Sequence, residues 1–207
     1  MDIQLLRFIR QSLFAATMAI ASLAHAQKSS VSFQVSGQPS VSPAVARILE
    51  KRFDSLRPGI FDTVGAQANA DRVTVSFSGW SPSPEQTAYL IRTIGRFKVT
   101  LKGQRDDPLV TESDVADSRP SIRGDRPELA IRLTDAAAAK VALRTQSAVG
   151  EEVIIEWEGR ILSRLRISGP LARDIALTAG SAEDAMLMSA VLRGGRLPDG
   201  VILTSVR

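Results

Sequence analysis

The stretch EEVIIEWEGRILSRLRI at residues 151–167 carries the strongest structural signal in the chain. Apolar residues recur at alternate positions in each half of it, which is typical of β-strands that bury one face. Glu158 and Gly159 lie between the halves, and an acidic residue followed by glycine favours a two-residue hairpin turn. The stretch therefore predicts a β-hairpin in which Trp157 shares a face with its apolar neighbours.

The charged residues of this hairpin are divided between its strands. They are Glu152, Glu156 and Glu158 on the first strand, and Arg160, Arg164 and Arg166 on the second. Two interpretations are open: cross-strand ion pairs on a solvent-facing side, or a polar rim for a bound peptide. The role of Trp157 also has two interpretations: it is either a core residue or an aromatic residue that recognises a partner. On the second interpretation, Trp157, Arg160 and Arg164 are candidate partner-binding residues.

The patterns around the hairpin predict a unit of mixed helices and strands from residue 111 to residue 207. Its other elements are a strand at 129–133, a helix at 135–149, a strand at 174–178, a helix that follows Ser181 and a last strand at 201–206. Ser181 and Asp184 have the spacing of a capping box, which fixes the start of the second helix.

Residues 31–102 predict another unit, in the order strand, helix, two strands, helix, strand. Ser42 and Pro43 start its first helix, and its clearest strand is at 72–77. This order fits a two-layer ferredoxin-like subdomain. Residues 103–110 predict a linker. The expected fold class is therefore α+β, with two small two-layer subdomains, a ferredoxin-like base and an α+β head.

Trp80 lies where a predicted strand ends, between Gly79 and Pro82. A tryptophan in a loop is harder to explain by core packing than one in a strand, although local packing stays open. Trp80 is therefore a further candidate for contact with a partner.

The first 26 residues have the pattern of a secretory signal peptide. A basic start is followed by an almost wholly apolar run at 12–23 and by small residues at Ala24 and Ala26. A membrane anchor is the alternative, but residues 12–24 would span only about 20 Å as a helix, against a hydrocarbon core of about 30 Å. We therefore expect cleavage after Ala26, a periplasmic protein and no membrane span in the mature chain.

The 207 residues include no cysteine and a single histidine, His25, which lies within the predicted signal. Histidine is the commonest general base, and histidine and cysteine are the commonest metal ligands. We therefore expect no metal and no cofactor, and an enzymatic function would have to rely on carboxylates or lysine. The formal net charge of +4 comes with acidic residues interspersed among the basic ones, which argues against a nucleic-acid partner.

Five segments resemble, in order and form, the first periplasmic domain of SecD, a membrane component of the bacterial protein-export machinery. They are TESDVADSRP at 111–120, RPELAI at 126–131, VIIEWEGRI at 153–161, SAEDA at 181–185 and LRGGRLP at 192–198. The last matches a Leu-Arg-x-Gly-x-Leu-Pro pattern at every fixed position. The first unit resembles the smaller base subdomain of the same domain, so the resemblance covers nearly all of the mature chain.

The resemblance implies a non-enzymatic envelope module that touches emerging, unfolded polypeptide, with the export machinery as a further partner. Such a module binds through an exposed sheet edge or an aromatic-lined groove. In the family, membrane helices follow this domain and carry the charged residues that use the proton gradient. The sequence stops at Arg207, so we do not expect proton-driven pulling. The alternative function is an adaptor that docks a single folded envelope protein.

Overall fold

The computed structural model describes residues 28–37 and 39–206. Within them, eleven strands form three antiparallel sheets, and four α-helices pack around these sheets in an α+β fold. The predicted signal peptide at residues 1–26 lies outside the described residues. None of the helices in the described part is both long and apolar enough to cross a membrane.

One sheet and two helices form the region that we call the base. Its elements are β1 Lys28–Ser36, α1 Ser42–Asp54, β2 Thr63–Asn69, β3 Arg72–Ser78, α2 Pro84–Arg92 and β11 Ile202–Val206. The strands pair in the order β11-β1-β3-β2. Along the chain the order is strand, helix, strand, strand, helix and finally β11, which is the connectivity of a ferredoxin-like fold. The predicted fold class is thereby confirmed.

Local sequence signals explain where the two base helices begin. Pro43 lies in the first turn of α1, where its missing N–H is not needed for a helical bond. Ser83 caps α2: its hydroxyl accepts from the Gln86 N–H at 3.2 Å, and the Gln86 side chain accepts from the Ser83 N–H at 3.0 Å. Helix α1 packs on β2 and β3, and Phe53 and Phe77 meet edge to face beneath it with ring centroids 5.3 Å apart.

Two smaller sheets and two helices form the region that we call the head. One sheet pairs β10 Asp174–Thr178, β7 Arg126–Leu133 and β6 Val115–Arg123, in that order. The other pairs β5 Val110–Thr111, β4 Phe97–Leu101, β8 Glu152–Trp157 and β9 Arg160–Arg166. The helices are α3 Asp135–Gln146 and α4 Ala182–Gly194, and short 3-10 turns lie at Pro39–Val41 in the base and Glu112–Asp114 in the head.

Two strands lie in a different sheet from the one that the sequence order suggested. The strand at 97–101, expected to close the base sheet, pairs with β8 of the head, and β11, expected in the head, pairs with β1. Alternating apolar residues identify a strand but not its partner. Here Phe97 lies opposite Trp157 and Val99 opposite Ile155, so the four side chains share one buried face. The chain therefore leaves the base after α2 and returns with its last strand.

Helix α4 joins the base to the head. Eight of its 13 residues are buried, because it packs against α1 on one side and against β6 and β7 on the other. The Ser189 hydroxyl donates to the Ser118 carbonyl at 2.8 Å, and the Ser118 hydroxyl donates to the Ser189 carbonyl at 3.1 Å. This reciprocal pair satisfies two hydroxyl groups that an apolar interface would otherwise leave unbonded.

Candidate functional site

The turn of the β8–β9 hairpin is anchored to the loop that follows α2. Glu158 and Gly159 have φ angles of 50° and 78°, as the predicted hairpin turn requires. The Glu158 carboxylate accepts backbone N–H bonds from three successive residues: Ile94 at 3.2 Å, Gly95 at 2.6 Å and Arg96 at 2.6 Å. Because these bonds involve a charged acceptor, they fix the end of the hairpin to residues 94–96 more firmly than neutral bonds would.

The same loop is held from its other side by Arg52 of α1, whose side chain is fully buried. Its guanidinium donates five hydrogen bonds, at 2.5–3.2 Å, to the backbone carbonyls of Leu90, Thr93, Ile94 and Gly195. These carbonyls lie at the C-terminal ends of α2 and α4, where helices leave carbonyl groups unbonded and partly negative. Arg52 therefore caps two helices at once.

Opposite charges stand on the two sides of this loop. Burial lowers the pKa of the Arg52 guanidinium to about 10, and the charge of Glu158 opposes that shift. Arg52 is therefore a cation at neutral pH. Ile94 turns its carbonyl to this cation and its N–H to the Glu158 anion. We call Arg52, residues 94–96 and Glu158 the junction.

Two glycines of the LRGGRLP motif serve the junction, one by the space that it leaves and one by its backbone conformation. A Cβ atom on Gly194 would lie 2.2 Å from Arg52 Cγ and 3.0 Å from the Ile48 carbonyl oxygen, so α1 and α4 approach closely there. Gly195 ends α4 with a φ of 95°, a conformation that other residues rarely adopt. This motif therefore serves the packing of α4 against the base.

The outer strand of the hairpin is open. Within the described residues, β9 is an edge strand that pairs with β8 alone. A register shift leaves Leu162 as an extra residue in β9, and Ile161, Leu162 and Leu165 are 39%, 45% and 47% exposed. An edge strand presents a row of unpaired backbone groups to which another strand can bond.

An apolar cleft opens beside Leu165. Its walls come mainly from β8, from β10 and from the segment that leads into β10, and they include Val153, Ile155, Leu171 and Ile175. The cleft has a volume of about 50 Å³. Apolar surface that is open to solvent often marks an interaction site. We call β9 together with this cleft the β9 surface.

Three of the predicted contact residues belong to this hairpin. Trp157 is 8% exposed and packs in the core beside Tyr89. Burial raises the pKa of the Tyr89 hydroxyl, and a hydrogen bond with Trp157 opposes that shift. Arg160 and Arg164 are exposed along β9. The structure therefore brings the two arginines, but not the Trp157 ring, to the β9 surface.

Trp80, the fourth predicted contact residue, lies in the base and away from the hairpin. It is half-buried, and its ring meets Phe77 edge to face with centroids 5.5 Å apart. Its indole N–H is buried and has no hydrogen-bond partner among the described residues. The contacts of Trp80 are those of local packing, which was one of its two interpretations.

The ion pairs expected across the hairpin form only in part. Glu152 lies 3.4 Å from Arg164, but it also lies 3.2 Å from Lys102. The hydrogen bond from Lys102 is the main reason that the pKa of Glu152 is lowered. Arg160 and Arg166 make no ion pair within the described part of the chain. The charge of β9 is therefore mostly uncompensated.

Binding is the chemistry that this arrangement supports. The Glu158 carboxylate is occupied by three N–H groups and the Arg52 guanidinium by five carbonyl bonds, so both serve to hold the chain in place. Among residues 28–37 and 39–206, no group of three or more His, Asp or Glu side chains is placed to hold a metal ion. The β9 surface, by contrast, is accessible to a partner.

A family model described as the SecDF P1 head subdomain matches residues 92–199, which are more than half of the chain. The chain belongs to this family. The match confirms the resemblance to the first periplasmic domain of SecD. It runs from the end of α2 to the segment just before β11, so it includes the loop at 94–96, the hairpin and α4.

A relative and two solved structures extend the comparison. Protein translocase subunit SecD of Acidaminococcus fermentans is 26% identical over 155 residues, which are 73% of this chain and 36% of that protein. The chain thus spans about a third of the length of this relative.

Both solved structures share the fold. A membrane component SecDF that enhances protein export matches with a TM-score of 0.65 and 19% identity, over 86% of this chain and 99% of the solved one. SecDF in its super-membrane-facing form matches with a TM-score of 0.67 and 19% identity, over 84% of this chain and 29% of that one. Both matches reach beyond residues 92–199, so the base shares the fold as well.

Sequence patterns did not predict the junction. Arg52 is one of several charged residues of α1, and no motif singled it out. One signal was present: Arg52 follows Leu49 by three residues and Val45 by seven, which is the spacing of the buried stripe of α1. A charged residue within such a stripe needs several hydrogen-bond partners, and the helix ends supply them.

Proposed function

We propose that this chain is a non-enzymatic accessory of protein export in the periplasm that binds extended polypeptide at the β9 surface. The family and the SecD relative support the link to export. The observation that carries the binding mode is the open edge of β9, with three partly exposed apolar side chains beside an apolar cleft.

A polypeptide in extended form would add to β9 as a further strand. Its backbone would supply hydrogen bonds that do not depend on sequence, and alternate side chains would point toward the cleft. Such binding suits a protein that must accept many different clients. It also suits rapid release, because a single edge strand offers limited contact.

The arginines of β9 fit this proposal in two ways. Arg160, Arg164 and Arg166 are exposed, and they would favour neutral or acidic segments of a client. Like charges on facing strands repel, so the same residues disfavour pairing between the β9 strands of two copies of this chain. The edge would thus be kept available for a client.

Site-specific crosslinking tests the proposal. A photoreactive residue replaces Leu162, and the matched control replaces Leu143 of α3, which is also apolar and is 72% exposed. We expect unfolded envelope proteins to crosslink at position 162 and not at position 143. Equal capture at both positions would overturn the proposal. Capture of one dominant folded protein at 162 would overturn it in favour of the adaptor function.

A charge substitution gives a second test. Leu165→Lys places a cation at the mouth of the apolar cleft, and Leu143→Lys makes the same change on the control helix. We expect the first variant to lose crosslinking at position 162 about tenfold and the second to retain it. Circular dichroism spectra of both variants must match the parent chain, because loss of fold would also remove crosslinking.

A further inference from the structure

The loop between α1 and β2 presents two large apolar side chains to solvent. Ile60 is 85% exposed and Phe61 is 90% exposed. They occupy the two central positions of a turn in which the Asp62 N–H donates to the Gly59 carbonyl at 3.3 Å. Small or polar residues normally fill these positions, so local structure does not explain the pair. We call residues 59–62 the apolar turn.

Hydrogen bonds on both sides hold the apolar turn in shape. The Asp62 carboxylate accepts the Gly59 N–H at 2.8 Å, and Arg57 donates to the Asp62 carbonyl at 2.8 Å. The same carboxylate lies against Gly79, where a Cβ atom would come within 2.2 Å of it. These contacts fix the conformation of the turn, and with it the exposure of Ile60 and Phe61.

The apolar turn lies at the end of the base sheet where the described chain begins. Lys28 pairs with Ser78, and Ser78 pairs with Thr63, so these three residues form one row across the sheet. Two strand spacings place Lys28 about 10 Å from Thr63, which follows the apolar turn directly. Four chain steps separate residue 28 from the apolar run at 12–24, a reach of at most about 14 Å.

We propose that the apolar turn inserts into the interface of a phospholipid bilayer beside the segment that carries residues 12–24. Whenever that apolar run lies in a membrane, as an anchor or as a signal before cleavage, it draws this end of the base sheet to the bilayer surface. Ile60 and Phe61 then leave water for the boundary between headgroups and acyl chains. Arg57, beside the apolar turn, is already paired with Asp54 at 2.6 Å, so its charge is partly neutralised.

Fluorescence quenching in vesicles tests this inference on the full chain. The sequence has no cysteine, so Phe61→Cys gives a single labelling site for an environment-sensitive dye. The labelled chain is reconstituted into vesicles of phosphatidylethanolamine and phosphatidylglycerol that contain nitroxide lipids. We expect a blue shift of the dye on reconstitution and quenching at least about threefold stronger than at control sites.

Two control sites separate membrane insertion from other causes. Asn69→Cys lies at the opposite end of β2, about 20 Å from Thr63 along the strand, and should stay unquenched. Ile122→Cys is a comparably exposed apolar position, at 71%, beside the β6–β7 turn of the head. Equal quenching at 61 and either control, or emission at 61 typical of water, would overturn the inference. A blue shift without vesicles would also overturn it, since protein would then cover the apolar turn.

A second labelled variant guards against a local defect at position 61. Ile60→Cys should give the same blue shift and quenching, because both residues project from one turn. Crosslinking at Leu162 reports on the β9 surface independently. Failure of the membrane contact would thus leave the proposed polypeptide binding untouched.

Discussion

Glu158 and Glu152 lie on the same hairpin, and their surroundings are opposite. Glu158 accepts three backbone N–H bonds and closes a junction that begins with a fully buried arginine. Glu152 meets the side chains of Lys102 and Arg164 in solvent. Both glutamates are half-buried, so what each charge contributes depends on how firmly its donors are fixed. The turn of the hairpin serves the fold, and its outer strand is left for a partner.

Replacing the buried cation should have the largest effect. Arg52→Met removes the donor of five hydrogen bonds to carbonyls at two helix ends, where the Ile94 carbonyl still accepts the Leu197 N–H at 2.8 Å. We expect a loss of about 4 kcal/mol in the free energy of unfolding, measured by urea denaturation. Arg47→Met on the exposed side of α1 should cost almost nothing. Equal losses in the two variants would contradict the role of the junction.

A larger side chain at the contact between α1 and α4, next to Arg52, should cause the second largest loss in the free energy of unfolding. Gly194→Ala places a Cβ atom 2.2 Å from Arg52 Cγ and 2.9 Å from the Arg52 backbone nitrogen, which cannot move without shifting α1. We expect a loss of about 2–3 kcal/mol by the same measurement. In Gly65→Ala the new methyl group has no atom within 4 Å, so that variant should be close to neutral. If both glycines tolerate alanine alike, α1 and α4 do not pack as described.

Removing the charge of Glu158, at the other end of the junction, should lower the free energy of unfolding by less. Glu158→Gln keeps the shape of the side chain but weakens the bonds from Ile94, Gly95 and Arg96, since a neutral oxygen accepts less strongly than a carboxylate. We expect a loss of about 1–2 kcal/mol. Amide NMR signals of Gly95 and Arg96 should move upfield as their hydrogen bonds lengthen. The exposed neighbour supplies the control, as Glu151→Gln should move neither signal.

The β8–β9 hairpin shows which features local sequence patterns can predict and which they cannot. Its turn and its two strands follow from alternation and from the Glu158-Gly159 pair, which are local signals, whereas these signals left Trp157 open between core packing and partner contact. The register shift at Leu162 does not follow, because a bulge depends on how two strands meet. The pattern suggested that Ile161 and Leu165 line a buried face, and instead both are partly exposed.

Pairing between strands that are far apart in the chain is the second feature that local sequence patterns cannot predict. The segments at 97–101 and 202–206 read clearly as strands, but nothing within them specifies β8 or β1 as the partner. The junction has the same character, because it joins Arg52 to carbonyls up to Gly195, far away in the chain. The order of the predicted strands and helices was enough for the fold class, but not for contacts between segments that are far apart in the chain.

Substitutions around Glu152 should give the smallest effect and the sharpest contrast with Glu158. The pKa of Glu152 is lowered first by its hydrogen bond with Lys102 and less by Arg164. Because its folded pKa lies below the unfolded value, Glu152 contributes stability above that value and loses it as the pH falls through the folded pKa. NMR titration of the carboxyl group should therefore show a larger upward shift in Lys102→Met than in Arg164→Gln. At pH 7 both variants should lower the urea midpoint only slightly, and by less than Glu158→Gln does. A larger shift in Arg164→Gln would mean that the hairpin pair, not Lys102, governs Glu152.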